Sequence, residues 1–158
     1  MRRPAALAGA AAAALASAAL GGCAAAVTAR AAPDATDPIC SQVLVALPEE
    51  VGDEARRETT AQATAAWGDP PVVLRCGVTS PGPTTWECVF VEGPEGAGVD
   101  WVVVPPEETG GDRVVWVSFG RAPAVELSAP AEAAGELAAV ASAVSGAVSV
   151  LPSERSCT

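Results

Sequence analysis

Cys23 follows Leu20, Gly21 and Gly22, and a cysteine directly behind two small residues is a thiol placed for modification. Before it stand the basic pair Arg2-Arg3 and an Ala/Leu run from Ala5 to Leu20. Charge, apolar run and small residues, in that order, form a secretory signal. The expectation is a lipoprotein signal peptide over residues 1–22, with the Cys23 thiol taking a diacylglyceryl group and becoming the new N-terminus. The plainer alternative is cleavage at a nearby A-x-A, with Cys23 incidental. The run is too short and too Ala-rich for a spanning helix, and Pro4-Ala5-Ala6 is not the usual context for twin-arginine export.

Other chemistries are bounded by what the chain lacks. It has no His and no Lys, so Ser-His-Asp, Cys-His, Ser-x-x-Lys and Schiff-base arrangements are closed to it. "WVSFG" around Ser118 only echoes a nucleophile elbow, because Trp116 stands where the first Gly belongs. Pairs such as Glu107-Glu108 sit in Gly/Pro-rich stretches and carry no acid/base signature, although a glycosidase dyad is set by spatial separation and is invisible in sequence. EF-hand and phosphate-cradling patterns are absent. No cofactor is expected and no metal centre.

Four cysteines remain after Cys23: Cys40, Cys76, Cys88 and Cys157. An even number in an exported chain implies two disulfides, with three connectivities open. Wide spacing, no CxxC and no His weigh against zinc. A hairpin centred on Gly82 would set Cys76 opposite Cys88, Val78 opposite Trp86 and Leu74 opposite Phe90, all on one face. That register favours a Cys76–Cys88 bond, leaving Cys40 to pair with Cys157 and pin both ends of the domain.

Arg75 and Arg121 are the most suggestive polar residues, one on a strand and one in "FGRAPAVEL". The functional reading is an anion clamp, with Trp67 and Trp101 as neighbouring ligand platforms. The bland reading is favoured: each Arg pairs with an acid on an exposed sheet face, and the tryptophans are core.

Composition sets the frame. Lys, Asn, His and Tyr are all missing while Ala, Gly, Pro and Arg abound, a codon signature of a GC-rich bacterial genome. Half of the 158 residues are apolar, enough for one domain with a real core. Without the leader, seven arginines face nineteen acids, a balance of −12. That weighs against nucleic acid and against electrostatic adhesion to anionic lipid.

These residues need elements to hold them. Residues 23–37 carry small side chains without period and read as a flexible tether, about 20 Å on average and about 45–50 Å at full stretch. A single domain is expected over 38–158. Asp37 and Pro38 open a short helix that Pro48 stops. Glu49 to Thr64 reads as a surface loop, with Ala65 to Trp67 extended and Gly68 to Pro71 a turn. Strand signals follow over Val72–Val78, Thr85–Val91, Val99–Val104, Arg113–Phe119 and Ala124–Leu127, split by Gly/Pro clusters. From Ala131 to Leu151 the larger apolar residues recur every three or four positions, the helical period. The expected fold is α+β: an antiparallel meander of about five strands packed against a C-terminal amphipathic helix, with a short N-terminal helix and two disulfides.

"DPIC", "LP", "AWGDPPVVLRCGV" (ending at Val78), "GVDW", "FGRAPAVEL" and the terminal "RSCT" occur in that order behind the Cys23 motif. The chain resembles the actinobacterial lipoproteins grouped as domain of unknown function 3515, over nearly all of the mature domain. The resemblance implies an exported, membrane-tethered, disulfide-bearing domain, and it implies no activity, substrate or catalytic residue.

The expected function is that of a non-catalytic lipoprotein domain on the extracytoplasmic face of the cell membrane. It would bind an envelope protein or ligand and would not bind nucleic acid. The alternative is a small anionic-ligand binder using Arg75, Arg121 and nearby tryptophans, with a hydrolase third.

Overall fold

A computed structural model describes residues 25–157. Residues 1–22, expected to be a signal peptide, and Cys23 therefore lie outside the described residues. The first helix, α1 (Pro38–Ala46), begins as its sequence demands: the Asp37 carboxylate accepts from the Ile39 N–H at 3.0 Å and Pro38 occupies the first turn. Leu47 then leaves the helical region ahead of Pro48.

Eight strands follow: β1 (Glu50–Val51), β2 (Glu54–Arg57), β3 (Thr64–Trp67), β4 (Val72–Val78), β5 (Cys88–Glu92), β6 (Gly98–Val104), β7 (Arg113–Ser118) and β8 (Ala124–Pro130). They form one antiparallel sheet in the order β1-β2-β3-β4-β8-β7-β6-β5. A one-turn helix, α2 (Pro106–Thr109), links β6 to β7, and α3 (Glu136–Val148) follows β8 after a 3-10 turn.

The α+β class, the C-terminal helix and the short N-terminal helix stand as expected, while the meander has eight strands instead of five. The stretch taken for a loop holds β1 and β2. Its side chains are polar and show no apolar alternation, but short strands at and next to a sheet edge are held by backbone pairing, which pattern does not report. Arg56 adds to this by donating to the carbonyls of Leu44 and Leu47 at 3.4 and 3.5 Å and pairing with Glu49 at 2.9 Å.

The topology is two four-stranded runs, β1–β4 and β5–β8, joined where β4 pairs with β8. The expected β4–β5 hairpin does not form. Leu74 opposes Leu127, Cys76 opposes Val125, and Val78 opposes Ala124. β5 sits at the far edge beside β6, where Phe90 is 61% exposed with its ring over Gly98. The nine residues of 79–87 can reach about 30 Å when extended. Crossing from β4 to β5 takes about 19 Å at four strand spacings. Length alone thus permits the crossover that a tight turn was expected to replace.

Both proposed disulfides are overturned with the hairpin. Cys40 bonds Cys76, at a Cα separation of 5.6 Å, and Cys88 bonds Cys157, at 6.2 Å. The first pairing follows from α1 lying over the core face of β4. The second follows from the C-terminal tail crossing the β7–β8 turn, where the Glu154 N–H donates to the Gly120 carbonyl at 2.8 Å, on its way to Cys88 at the start of β5.

α3 and α1 cover one face of the sheet. Beneath them lie Trp67, Leu74, Trp101 and Leu127, closed over by Leu137, Val140, Val144 and Val148. The expected amphipathic stripe is therefore real. The other face is covered in part by a segment expected to be free. Val27 pairs with Thr59, its N–H donating to Glu58 at 2.8 Å, and is buried with Ala66 and Val73. Ala32 and Ala35 are buried against Val78, Val117 and Ala124. Small side chains let this backbone lie flat on the sheet, and Gly77 makes the room. Gly77 has φ +98, at a register shift in β4, and a Cβ there would stand 2.4 Å from the Asp34 carbonyl carbon. Among the described residues, the folded unit thus takes in Val27, well before Pro38.

Candidate functional site

The sheet face away from α3 carries a groove of about 610 Å³. Its floor comes from the positions of β4, β7 and β8 that alternate with core positions: Val73 and Arg75, Val115 and Val117, Glu126 and Ser128. The N-terminal segment, through Val27 to Arg30, makes one wall, and α2 with Glu108 and Thr109 makes the other. Gly110 ends α2 in the left-handed region, at φ +81, and the Thr109 hydroxyl donates to the Arg113 carbonyl at 3.0 Å, which fixes that wall to β7.

Arg75 and Glu126 are directly opposed and joined by two bonds, Nε to Oε1 at 2.9 Å and Nη2 to Oε2 at 3.0 Å. This two-point geometry is the strong form of the pair. Arg113 donates to the Ser128 hydroxyl at 3.0 Å. Arg30, Arg75 and Arg113 thus converge, against Glu108 and Glu126, on a patch less acidic than the chain as a whole. The bland reading of Arg75 holds in that it has an acid partner, yet that pair lies in the floor of a concavity.

Arg121 is elsewhere. It is 7% exposed and donates through Nη1 to the Leu151 carbonyl, tying the β7–β8 turn to the end of α3. Burial pushes its pKa down, opposed by the nearby Asp100 carboxylate. Arg75 and Arg121 therefore do not form one clamp. Trp67 and Trp101 are 1% and 0% exposed, on the helix-covered side, so neither is a platform beside Arg75. Ser118 is fully buried and its hydroxyl accepts from the Val125 N–H at 2.9 Å, a structural role. Among the described residues, the grouping of metal-ligand type is Cys88, Asp100 and Cys157, whose sulfurs are bonded to each other and hold no thiolate.

Sequence reasoning missed Arg30 and Arg113. Arg113 shares its parity with Val115 and Val117 on one strand, a signal that was there to use. Arg30 stood in a stretch without period, and only the docking of that stretch brings it to the groove.

Trp67 lines a second cleft, of about 420 Å³, between the β1–β2 edge and the start of α3. Its polar side chains are those of Glu54, Asp69, Glu132 and Glu136.

No curated protein and no solved structure matches the chain. A family model described as "Protein of unknown function (DUF3515)" matches residues 4–155. With the match covering nearly the whole chain, the chain belongs to the DUF3515 family.

Proposed function

We propose that the protein is a non-catalytic binding domain, held at the extracytoplasmic face of the cell membrane by a lipid on Cys23, with the open sheet face as its binding surface. The observation that carries this reading is the groove's position beside Val27, which is pinned to the sheet. Only four residue steps separate Val27 from Cys23, and they reach about 14 Å at most. A lipid on Cys23 would hold the groove at the height of the headgroups, so its partner is an envelope component at the membrane surface. A small anionic ligand is the second reading. Arg30, Arg75 and Arg113 favour it, in place of the Arg75–Arg121 pair first considered.

The test is photocrosslinking on intact cells. A crosslinking residue at Val115, on the groove floor, is expected to capture a discrete partner. One at Ala138, on the exposed side of α3, is expected to capture none. Capture from Ala138 alone would move the binding surface to the helix side and overturn the reading.

A further inference from the structure

The two disulfides differ in what surrounds them. Cys40 and Cys76 are 1% and 0% exposed and lie in the core with Trp67 and Leu74. A reagent reaches that bond only after α1 lifts or the domain unfolds. Cys88 and Cys157 are partly exposed, and both line a cleft of about 380 Å³ with Trp86, Phe119 and Ser156. Thiol–disulfide exchange needs access to a sulfur as well as a thiolate, so burial shields the first bond and leaves the second within reach.

The segment carrying Cys157 has little else to hold it. Leu151, 1% exposed, still belongs to the core, but Pro152 to Ser156 are all exposed. From Pro152 to Cys157 there is no large apolar side chain. Its noncovalent ties are polar. Ser153 bridges Arg121, and the Glu154 N–H donates to the Gly120 carbonyl at 2.8 Å. The Cys157 N–H donates to Asp100 Oδ2 at 3.3 Å, and the Arg155 guanidinium lies 5.6 Å from the centre of the Phe119 ring. Surface contacts of these kinds are individually weak. A segment held by them opens at low cost once its covalent tie is gone.

The sheet beneath is apolar. Cys88 stands opposite Val102 of β6, so the two side chains share a face, and Val102 is 1% exposed beside the segment. A Cβ on Gly120 would strike the Arg155 backbone, so the segment rests directly on the β7–β8 turn.

We propose that Cys88–Cys157 is an exchangeable disulfide that straps residues 152–157 to the sheet: a dithiol reductant opens it while Cys40–Cys76 stays closed, and the strap then leaves. The first thiolate of the dithiol attacks one sulfur of the pair, forming a mixed disulfide and expelling the other sulfur as a thiolate. The second sulfur of the dithiol, as its thiolate, then displaces the protein sulfur and closes the reductant's own disulfide. Two electrons pass to the protein, and its two thiolates take up the two protons that the dithiol gave up. Departure of the strap bares Val102 and Phe119 near β5, where Phe90 is already 61% exposed. The state of one bond thus sets how much apolar surface this edge of the sheet shows.

The experiment uses the full chain carrying Cys23→Ala, which leaves the four bonded cysteines alone in the exchange. The probe is dithiothreitol under native conditions, quenched at intervals with N-ethylmaleimide and read by peptide mass spectrometry. Cys88 and Cys157 are expected to be labelled roughly ten-fold faster or more than Cys40 and Cys76. In the singly reduced protein the Glu154 and Cys157 amides are expected to lose protection from hydrogen exchange, while those of β4 and β8 keep it. Adding Cys88→Ser/Cys157→Ser should reproduce that pattern without reductant. Three results overturn the proposal. Equal labelling rates would mean that both bonds open through unfolding. Faster labelling of Cys40 and Cys76, or none of Cys88 and Cys157 short of unfolding, would show the second bond to be shielded. Protection that persists at Glu154 and Cys157, in the reduced protein or in the variant, would show that the bond is no strap.

Discussion

Arg75 and Glu126 face each other across the seam between the two four-stranded halves of the sheet, and two bonds of 2.9 and 3.0 Å join them. Their side chains are 25% and 17% exposed, so neither is free of solvent nor fully in it. Removing one partner leaves the other half-desolvated. Glu126→Gln and Arg75→Gln are each expected to lower stability by about 1–3 kcal/mol, and the double variant by less than their sum. Urea melts of the four proteins measure this. Single-variant losses under about 0.5 kcal/mol would show the pair to be solvated and weak.

The disulfides give the second prediction. Non-reducing peptide mapping should return Cys40 linked to Cys76 and Cys88 linked to Cys157. For a loop of 36 residues the chain-entropy treatment gives about 4 kcal/mol, an upper figure that native strain reduces. Cys40→Ser/Cys76→Ser is therefore expected to lose about 2–4 kcal/mol. A Cys76–Cys88 peptide would contradict the sheet order itself, since those residues lie on strands that do not touch.

Gly77 tests whether the N-terminal segment belongs to the fold. A side chain there meets the backbone of Asp34 and Ala35 and must adopt a positive φ. Gly77→Ala is expected to destabilise by about 2 kcal/mol or more and to lift residues 28–35 from the sheet. Limited trypsin digestion should then cut after Arg30 at least several-fold faster than in the parent. Unchanged cleavage would mean the segment is held without the passage over Gly77.

Cys23 is the fourth. Metabolic labelling with a fatty acid should mark the parent and not Cys23→Ala, and the variant should appear in the medium. Inserting ten Gly/Ser residues between Ala25 and Ala26 adds about 35 Å of reach. It should leave labelling intact and reduce groove crosslinks to membrane-surface partners. Labelling of Cys23→Ala would remove the anchor from the account.

What could be read from sequence was local. The N-cap at Asp37, the turn at Gly68 to Pro71, the stripe of α3 and the five longer strands are written in single side chains and their periods. What could not be read was pairing. Choosing between β5 and β8 as the neighbour of β4 depends on which strands compete for it, and a five-residue Gly/Pro turn looked sufficient to decide. One wrong neighbour carried both disulfides with it. The docking of residues 27–37 was hidden for another reason: alanines on a flat sheet need no period. The groove inherits both difficulties: Glu126 comes to Arg75 through the unforeseen pairing, and Arg30 comes to the groove wall through the unforeseen docking.

The two disulfide loops are consecutive along the chain: 40 to 76 closes before 88 to 157 opens. Consider a polypeptide that meets an oxidant with its N-terminus leading. When Cys76 emerges, Cys40 is the available domain thiol, and their bond uses up both before Cys88 appears. Cys88 then waits for Cys157, the last cysteine to arrive. An oxidase that joins cysteines in their order of appearance therefore makes the native pairs without correction. A chain with nested bonds, such as 40–157 around 76–88, would depend on an isomerase or on a long-lived free thiol. Strand β4 meets its partner β8 only after the first bond has fixed it to α1, so the first half of the sheet is already stapled when the second arrives to dock on it.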